Sequence, residues 1–395
     1  MHGPVVVVGG GVIGLSSAWR VAQRGFEVTV VDPSPGRGAS WVAAGMLAPT
    51  GEAAFGEEAL TRLLMAGAER WPTFAAELSA SSGIDIGYRR CGTVMVAIDA
   101  ADRAVIDDLL AFQRRLGLEA TRLSASGCRA LAPALAPGVR GGAGMPGDHQ
   151  VDNRKLVRAL LEACRRSGVS TVTERVEAVV LDPDTQVTGV RLAGGEVLPA
   201  GVVVLAAGAG TGRIGGLPED VLPPVRPVKG HVLRLQGTAG APLLTCTVRG
   251  LVHGRPCYLV PRQDGSVVIG ATSEERGFDT SVRAGAVHAL LDDARALVPG
   301  VDELDLVECL AGLRPGSPDN SPYVGWSRVP GLAMATGHYR NGILLTPITA
   351  AAVESLLVDA GHPVDLAFPS PTRPRARAAG TIRTGTRHTD GRAGP

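Results

Sequence analysis

The stretch PVVVVGGGVIGL, residues 4–15, decides the fold. Val5 to Val8 is an unbroken β-branched run, the pattern of a strand buried on both faces of a parallel sheet. Gly9, Gly11 and Gly14 follow with the spacing G-x-G-x-x-G, and helical periodicity runs from about Ile13 to Arg24. Each glycine has a physical task. Gly9 allows a tight turn, Gly11 lets the backbone approach a pyrophosphate, and Gly14 lets helix pack close on strand. The helix N-terminus then presents free N–H groups and a partial positive charge to the anion. EVTVVD, residues 27–32, completes a βαβ unit, and Asp32 ends its second strand, where an acid accepts hydrogen bonds from a ribose. The alternative is a glycine turn with no ligand. The strand before, the helix after and the acid at the right distance weigh against it.

Working outward, VVVLAAGAGTG, residues 202–212, sets a second buried strand before a second small-residue turn that contains Gly208. A long helix is predicted over Glu57–Ser79, interrupted or kinked by Pro72. GTVMVAI reads as a strand and AADRAVIDDLLAFQRRLG as an amphipathic helix. VDNRKLVRALLEACRRSG reads as another helix, with Asp152 as N-cap and Gly168 as C-terminal stop. Residues 169–201 give a third strand and then a β-excursion, before the chain returns to the buried strand Val202 to Leu205. PVKGHVLRL, CYLVPR and GSVVIGAT, within 225–272, predict a separate, mostly antiparallel sheet, followed by a helix near 283–297. The expected fold class is α/β: a dinucleotide-binding Rossmann domain interleaved with an α+β substrate domain. The predicted binding domain comprises residues 1–85, 145–222 and 312–365, and the substrate domain 86–144 and 223–311.

Composition removes other function classes. Hydrophobic residues are 45% of 395, enough for a large core, and the net charge is +1. Residues 370–395 hold six arginines against Asp390 alone. With no aromatic interleaved among the arginines of 370–395, 366–395 reads as a disordered basic tail and not as a nucleic-acid surface. The six cysteines form no C-x-x-C and the histidines no H-x-x-x-H, so no metal is expected. No apolar run approaches the ~20 residues needed to span a bilayer, and the N-terminal run lacks a basic flank, so the expected setting is cytoplasmic. No Ser-His-Asp triad or catalytic carboxylate pair is evident.

Four further stretches carry a family resemblance: ASWVAAGMLAP (39–49), CYLVPRQDGSVVIGAT (257–272), AGLRPGSPDNSPYVG (311–325) and GHYRNGILLTP (337–347). The two glycine turns resemble the signature of the glutathione-reductase-like FAD proteins. Asp32 departs from the glutamate commoner there, which leaves a minority case for a nicotinamide. With the four stretches in this order, the chain resembles the D-amino acid oxidase superfamily, most closely its glycine oxidases of thiamine biosynthesis, over about residues 4–360.

The resemblance implies a set of roles. Gly9, Gly11, Val12, Ile13 and Gly14 would meet the pyrophosphate, with Gly208 at the second turn. Asp32, with Pro33 beside it, would hold the adenosine ribose, and Val176 would contact the adenosine through its backbone. Ala39, Ser40, Ala44, Gly45 and Met46 would line the path to the flavin ring, and His338, Tyr339, Arg340, Asn341, Gly342, Ile343 and Leu344 would wrap its pyrimidine side. Arg314, Arg340, Tyr258 and Met46 would face the substrate, Arg314 offering a planar fork to a carboxylate. For each arginine the plainer reading is a structural salt bridge, and for Tyr258 a packed aromatic. Trp41 and Pro256 depart from the smaller and more polar residues of the family pattern. Lys229 is either near the flavin, aiding oxygen, or a plain surface or strand-end lysine.

The implied reaction is oxidative deamination of glycine, and of sarcosine or small D-amino acids. Hydride passes to flavin N5, with glyoxylate or another 2-oxo acid, ammonia and hydrogen peroxide as products, and no protein acid or base is needed. FAD would be non-covalent, because Gly312 stands where covalent members carry a cysteine and Cys309 misses by three positions. The implied partners are a small amino acid, oxygen, thiazole synthase as recipient of the imine, and a second copy in a homo-oligomer. The alternatives are a D-amino acid or sarcosine oxidase or dehydrogenase, or a non-catalytic FAD-binding protein.

Overall fold

The computed structural model of the chain describes residues 3–218 and 220–358, so the expected tail at 366–395 lies outside the described residues. A six-stranded sheet runs in the order Tyr323–Trp326, Leu332–Thr336, Val202–Leu205, Val5–Val8, Val28–Val31, Ser170–Val172. Only the edge strand Tyr323–Trp326 is antiparallel to its neighbour. Val5–Val8 is buried throughout because alternate side chains enter two different cores. Val5 and Val7 pack with the helical residues Leu15, Trp19, Leu156 and Leu160. Val6 and Val8 pack with Val176, Val179 and Val190 of a small antiparallel sheet, Val176–Leu181, Val187–Leu192 and Val197–Pro199, which is the excursion expected from the sequence.

A second sheet has eight strands: Asp305–Gly316, Arg226–Gln236, Ser266–Gly270, Arg255–Pro261, Thr247–Val252, Thr93–Ala97, Gly142–Met145 and Thr121–Leu123. It is mostly antiparallel, with a parallel pair between Thr247–Val252 and Thr93–Ala97. Asp305–Gly316 pairs with Arg226–Gln236 along its whole length, so residues 312–316 still belong to this sheet and the chain rejoins the first sheet at Tyr323. As an edge strand with its first residues exposed, it shows weak hydrophobic alternation, which is why the sequence hides its start.

The helix expected over 57–79 is two helices, Glu58–Glu69 and Trp71–Ser82, broken at Arg70. Pro72 lies in the first turn of the second, where a missing N–H costs nothing. Asn153–Arg166 is capped by the Asp152 carboxylate, which accepts from Arg154 N and Lys155 N at 2.9 and 3.0 Å. Among the described residues no helix is long and apolar enough to cross a membrane.

Candidate active site

The N-terminal turn brings strand and helix into close backbone contact. Gly9 has φ +112, and a Cβ on Gly14 would run into the Gly9 carbonyl oxygen, so helix and strand meet backbone to backbone. The helix opens at Val12 with Gly11 as its N-cap, and its first-turn amides have no intrahelical carbonyl. Asp32 accepts from Gly10 N and from Ser34 N, both at 2.7 Å, which fixes the carboxylate beside the turn. Pro33 follows it directly. Asp32 N donates to Val172 O, so the chain that leads into buried Val176 lies alongside. Gly208, at φ +54, opens the second turn, and its carbonyl accepts from Thr211 Oγ1 at 2.8 Å. The bare turn and the helix N-terminus behind it fit a dinucleotide pyrophosphate.

The segment from Ala39 to Met46 is tied to this turn and to the second sheet. Ser40 Oγ accepts from Val12 N at 3.1 Å, and Asn153 Nδ2 donates to the carbonyls of Ser40 and Trp41 at 2.8 and 2.9 Å. Buried Arg262 donates to Ala44 O at 2.5 Å and to Gln150 at 2.6 Å. Gly45, at φ +76, sits where a Cβ would strike Val151 O. Trp41 is accommodated by cation–π contacts, with the guanidiniums of Arg37 and Arg154 at 4.0 and 4.6 Å from its centroid. Pro256 is exposed, near the hairpin end of its strand.

A row of residues crosses one face of the eight-stranded sheet. Arg314 is opposite Val228, Val232 opposite Gly270, Gly270 opposite Tyr258, and Tyr258 opposite Arg249. The period of two along Arg226–Gln236 puts Gly230 on the same face. A Cβ on Gly230 would fall on the Arg314 guanidinium, and one on Gly270 on the Tyr258 hydroxyl. Two bare glycines on neighbouring strands thus form a floor over which guanidinium and phenol lean. Arg314 Nη1 donates to Thr272 O at 3.1 Å. Burial raises the Tyr258 pKa, with Arg314 opposing, so the phenol stays a donor. Ala44 and Met46 share a hydrophobic cluster with Tyr258, Val232 and Val260, which brings the Ala39–Met46 segment over this face.

Sequence reading missed three charged residues here. Glu52 pairs through Oε1 with Arg249 Nη1 at 2.6 Å and through Oε2 with Arg340 Nε at 2.9 Å. The second contact is ionic, without hydrogen-bond alignment. Burial works to raise the Glu52 pKa, but Arg249 and Arg340 outweigh it and hold the carboxyl below its usual range. Asp148, fully buried, accepts from Thr50 N at 2.9 Å and from Gly51 N at 2.7 Å, fixing the turn that carries Glu52. Arg249 alone left a signal, as a charge inside a buried strand pattern.

Three expectations need correction or completion. Arg340, expected to face the substrate or to form a structural salt bridge, has a side chain 42% exposed and pairs through Nε with the protein's own Glu52. Lys229 is neither at the surface nor at a strand end, being fully buried mid-strand with Nζ 2.8 Å from Asp279 Oδ2. His338 is buried, its Nε2 is 2.9 Å from Thr349 Oγ1, and burial pushes its pKa down to about 3, so it is neutral at physiological pH. Tyr339 has φ +49, and Tyr339–Asn341 forms a 3₁₀ turn leading through Gly342, Ile343 and Leu344 into the helix Thr346–Val358. Leu344 O accepts from Trp71 Nε1 at 2.8 Å, which anchors this loop.

Burial pushes the Asp148 pKa up to about 7, against the pull of the two amides and Arg249. Its folded value therefore exceeds the unfolded one of about 3.9. The stability contributed by the protonated carboxyl is fully present below about pH 4 and is lost as pH rises through about 7. A series of melting temperatures from pH 5 to 8 should fall on this account, and Asp148→Asn should flatten that fall. An unchanged slope in the variant contradicts the assignment.

Residues 4–356 match the family described as DAO, FAD dependent oxidoreductase. Glycine oxidase from Pseudomonas putida is 34% identical over 95% of this chain and 100% of its own length. The bifunctional protein ThiO/ThiG of a Nostoc species is 34% identical over 90% of this chain, and the chain spans about half (52%) of that relative's length. The crystal structure of glycine oxidase from Geobacillus kaustophilus superposes with a TM-score of 0.85 at 33% identity, covering 95% of this chain and 100% of the other. Turn, sheet face and near-complete match over the chain agree: the protein belongs to the DAO family of FAD-dependent oxidoreductases.

Proposed function

We propose that the chain oxidises glycine to glyoxylate, ammonia and hydrogen peroxide, consuming oxygen and water. The observation that carries this reading is the Arg314 guanidinium leaning over Gly230 toward Tyr258, in a chain whose relatives include glycine oxidases. The chemistry FAD supplies when bound is acceptance of a hydride and delivery of the electrons to oxygen. Gly9, Gly11, Val12, Ile13 and Gly14 would hold the pyrophosphate and Asp32 the ribose, with Pro33, Val176 and Gly208 beside the adenosine half. Ala39–Met46 and His338–Leu344 would enclose the flavin. Arg314 fixes the substrate carboxylate with a charge-assisted pair, and the Tyr258 hydroxyl donates a second contact. Met46 closes the apolar side. His338, neutral and bonded to Thr349, serves as a backbone support and not as a proton acceptor.

A division into a binding unit and a substrate unit is supported by the presence of two large sheets. Non-covalent FAD is in keeping with Gly312, which faces Val42, and with Cys309, which packs against the core of the eight-stranded sheet. Transfer of the imine to a thiazole synthase is supported by the ThiO/ThiG relatives. Six free thiols suit a reducing cytoplasm. The test is oxygen uptake and peroxide release with glycine, sarcosine, D-alanine and D-proline, followed by acid precipitation. Glycine should give the highest kcat/KM and the pellet should be colourless. No peroxide with any of the four overturns the oxidase reading.

A further inference from the structure

The reading of this face as an amino-acid pocket leaves Glu52 unexplained, and the following rests on that reading. Three guanidiniums meet here. Arg249 and Arg340 contact Glu52 directly, and the field of Arg314 reaches it. The Glu52 side chain is only 10% exposed, and Arg249 is 16% exposed. A lone buried carboxylate is costly, so it persists here because two cations hold it ionised. Its backbone has no freedom to withdraw, because Asp148 binds the two preceding residues, Thr50 and Gly51, through their amides.

Without Glu52, Arg249, which is opposite Tyr258, and Arg340 would present two unpaired positive groups in addition to Arg314. Such a site would draw a ligand with two acidic groups. With Glu52 ionised, that second position is already filled by a carboxylate of the protein. We infer that Glu52 is a specificity-determining residue: a built-in carboxylate that satisfies Arg249 and Arg340, leaves Arg314 as the anchor, and confines the site to substrates bearing one anionic group. A second acid on the substrate must either displace Glu52 from both arginines or lie against it, and like charges in contact cost enough to lower affinity by about tenfold or more.

The test uses the full FAD-loaded chain at fixed ionic strength. Acetate and malonate are titrated separately, and the perturbation of the bound-flavin absorbance gives a Kd for each. Wild type should bind acetate at least about tenfold more tightly than malonate. Glu52→Gln should shift the ratio at least about tenfold toward malonate, and should raise the kcat/KM for iminodiacetate relative to glycine. Glu52→Asp, which keeps the charge, should stay near the wild-type ratio, as a merely structural role would not require. Equal or tighter malonate binding by wild type overturns the inference, as does a Glu52→Gln variant that weakens both acids equally. Should Glu52→Gln fail to fold, the wild-type ratio decides alone. If neither acid perturbs the flavin, the inference falls whatever glycine does. If acetate is preferred but glycine is not oxidised, the inference stands and the glycine reading falls.

Discussion

Arg314→Ala should lower kcat/KM for glycine by about two to three orders of magnitude, since truncating one partner of a buried charge pair costs about 2–5 kcal/mol. The loss should fall mainly on KM, because the carboxylate is held equally in the ground and transition states. Flavin content should stay at the wild-type level, since Arg314 belongs to the eight-stranded sheet and not to the glycine turn, and hydrogen-bonds only to Thr272 O among the described residues. Arg314→Lys restores a charge without the fork and should recover only part of the loss. Gly230→Ala is a sharper version, because it leaves the guanidinium in the chain but puts a methyl group where it lies. It should reproduce the KM increase in direction, at about tenfold or more. A KM within twofold of wild type in Arg314→Ala would mean the carboxylate is anchored elsewhere.

The residues that could be read from sequence are those whose role is written in local pattern. The glycine turn, the buried strands Val5–Val8 and Val202–Leu205, and the Asp152 cap each depend on neighbours a few positions away. The sheet face depends instead on register between distant strands. Gly230 and Gly270 matter only because Arg314 and Tyr258 lean over them, and nothing in the spacing of PVKGHV or VVIGAT states this. Glu52 is less legible still. It sits in a turn with no periodicity, and its partners lie 197 and 288 positions further on, at Arg249 and Arg340. Arg340 illustrates the limit from the other side. An arginine before an apolar run poses the question of its counter-ion, but only the fold shows that the answer is a carboxylate of the same chain.

Gly14→Ala is expected to yield a protein that no longer retains FAD. A Cβ at this position would sit well under 3.0 Å from the Gly9 carbonyl oxygen, with Ala206 Cβ close by at 3.3 Å. Both obstacles belong to the first-sheet core, and the nearer is backbone, so no rotamer change relieves the overlap. The helix Val12–Gln23 would have to move off the strand Val5–Val8, and its first-turn amides would leave the position where they would meet a pyrophosphate. Overpacking of this kind costs about 1–3 kcal/mol, so the melting temperature should fall together with the 450 nm absorbance. The control is Gly138→Ala, where a Cβ meets nothing within 4 Å and φ is ordinary. That variant should keep both colour and stability. If Gly14→Ala purified with a full complement of flavin, the close contact of helix and strand could not be what shapes the phosphate turn, and the assignment of Gly9, Gly11 and Gly14 to the dinucleotide would lose its physical basis.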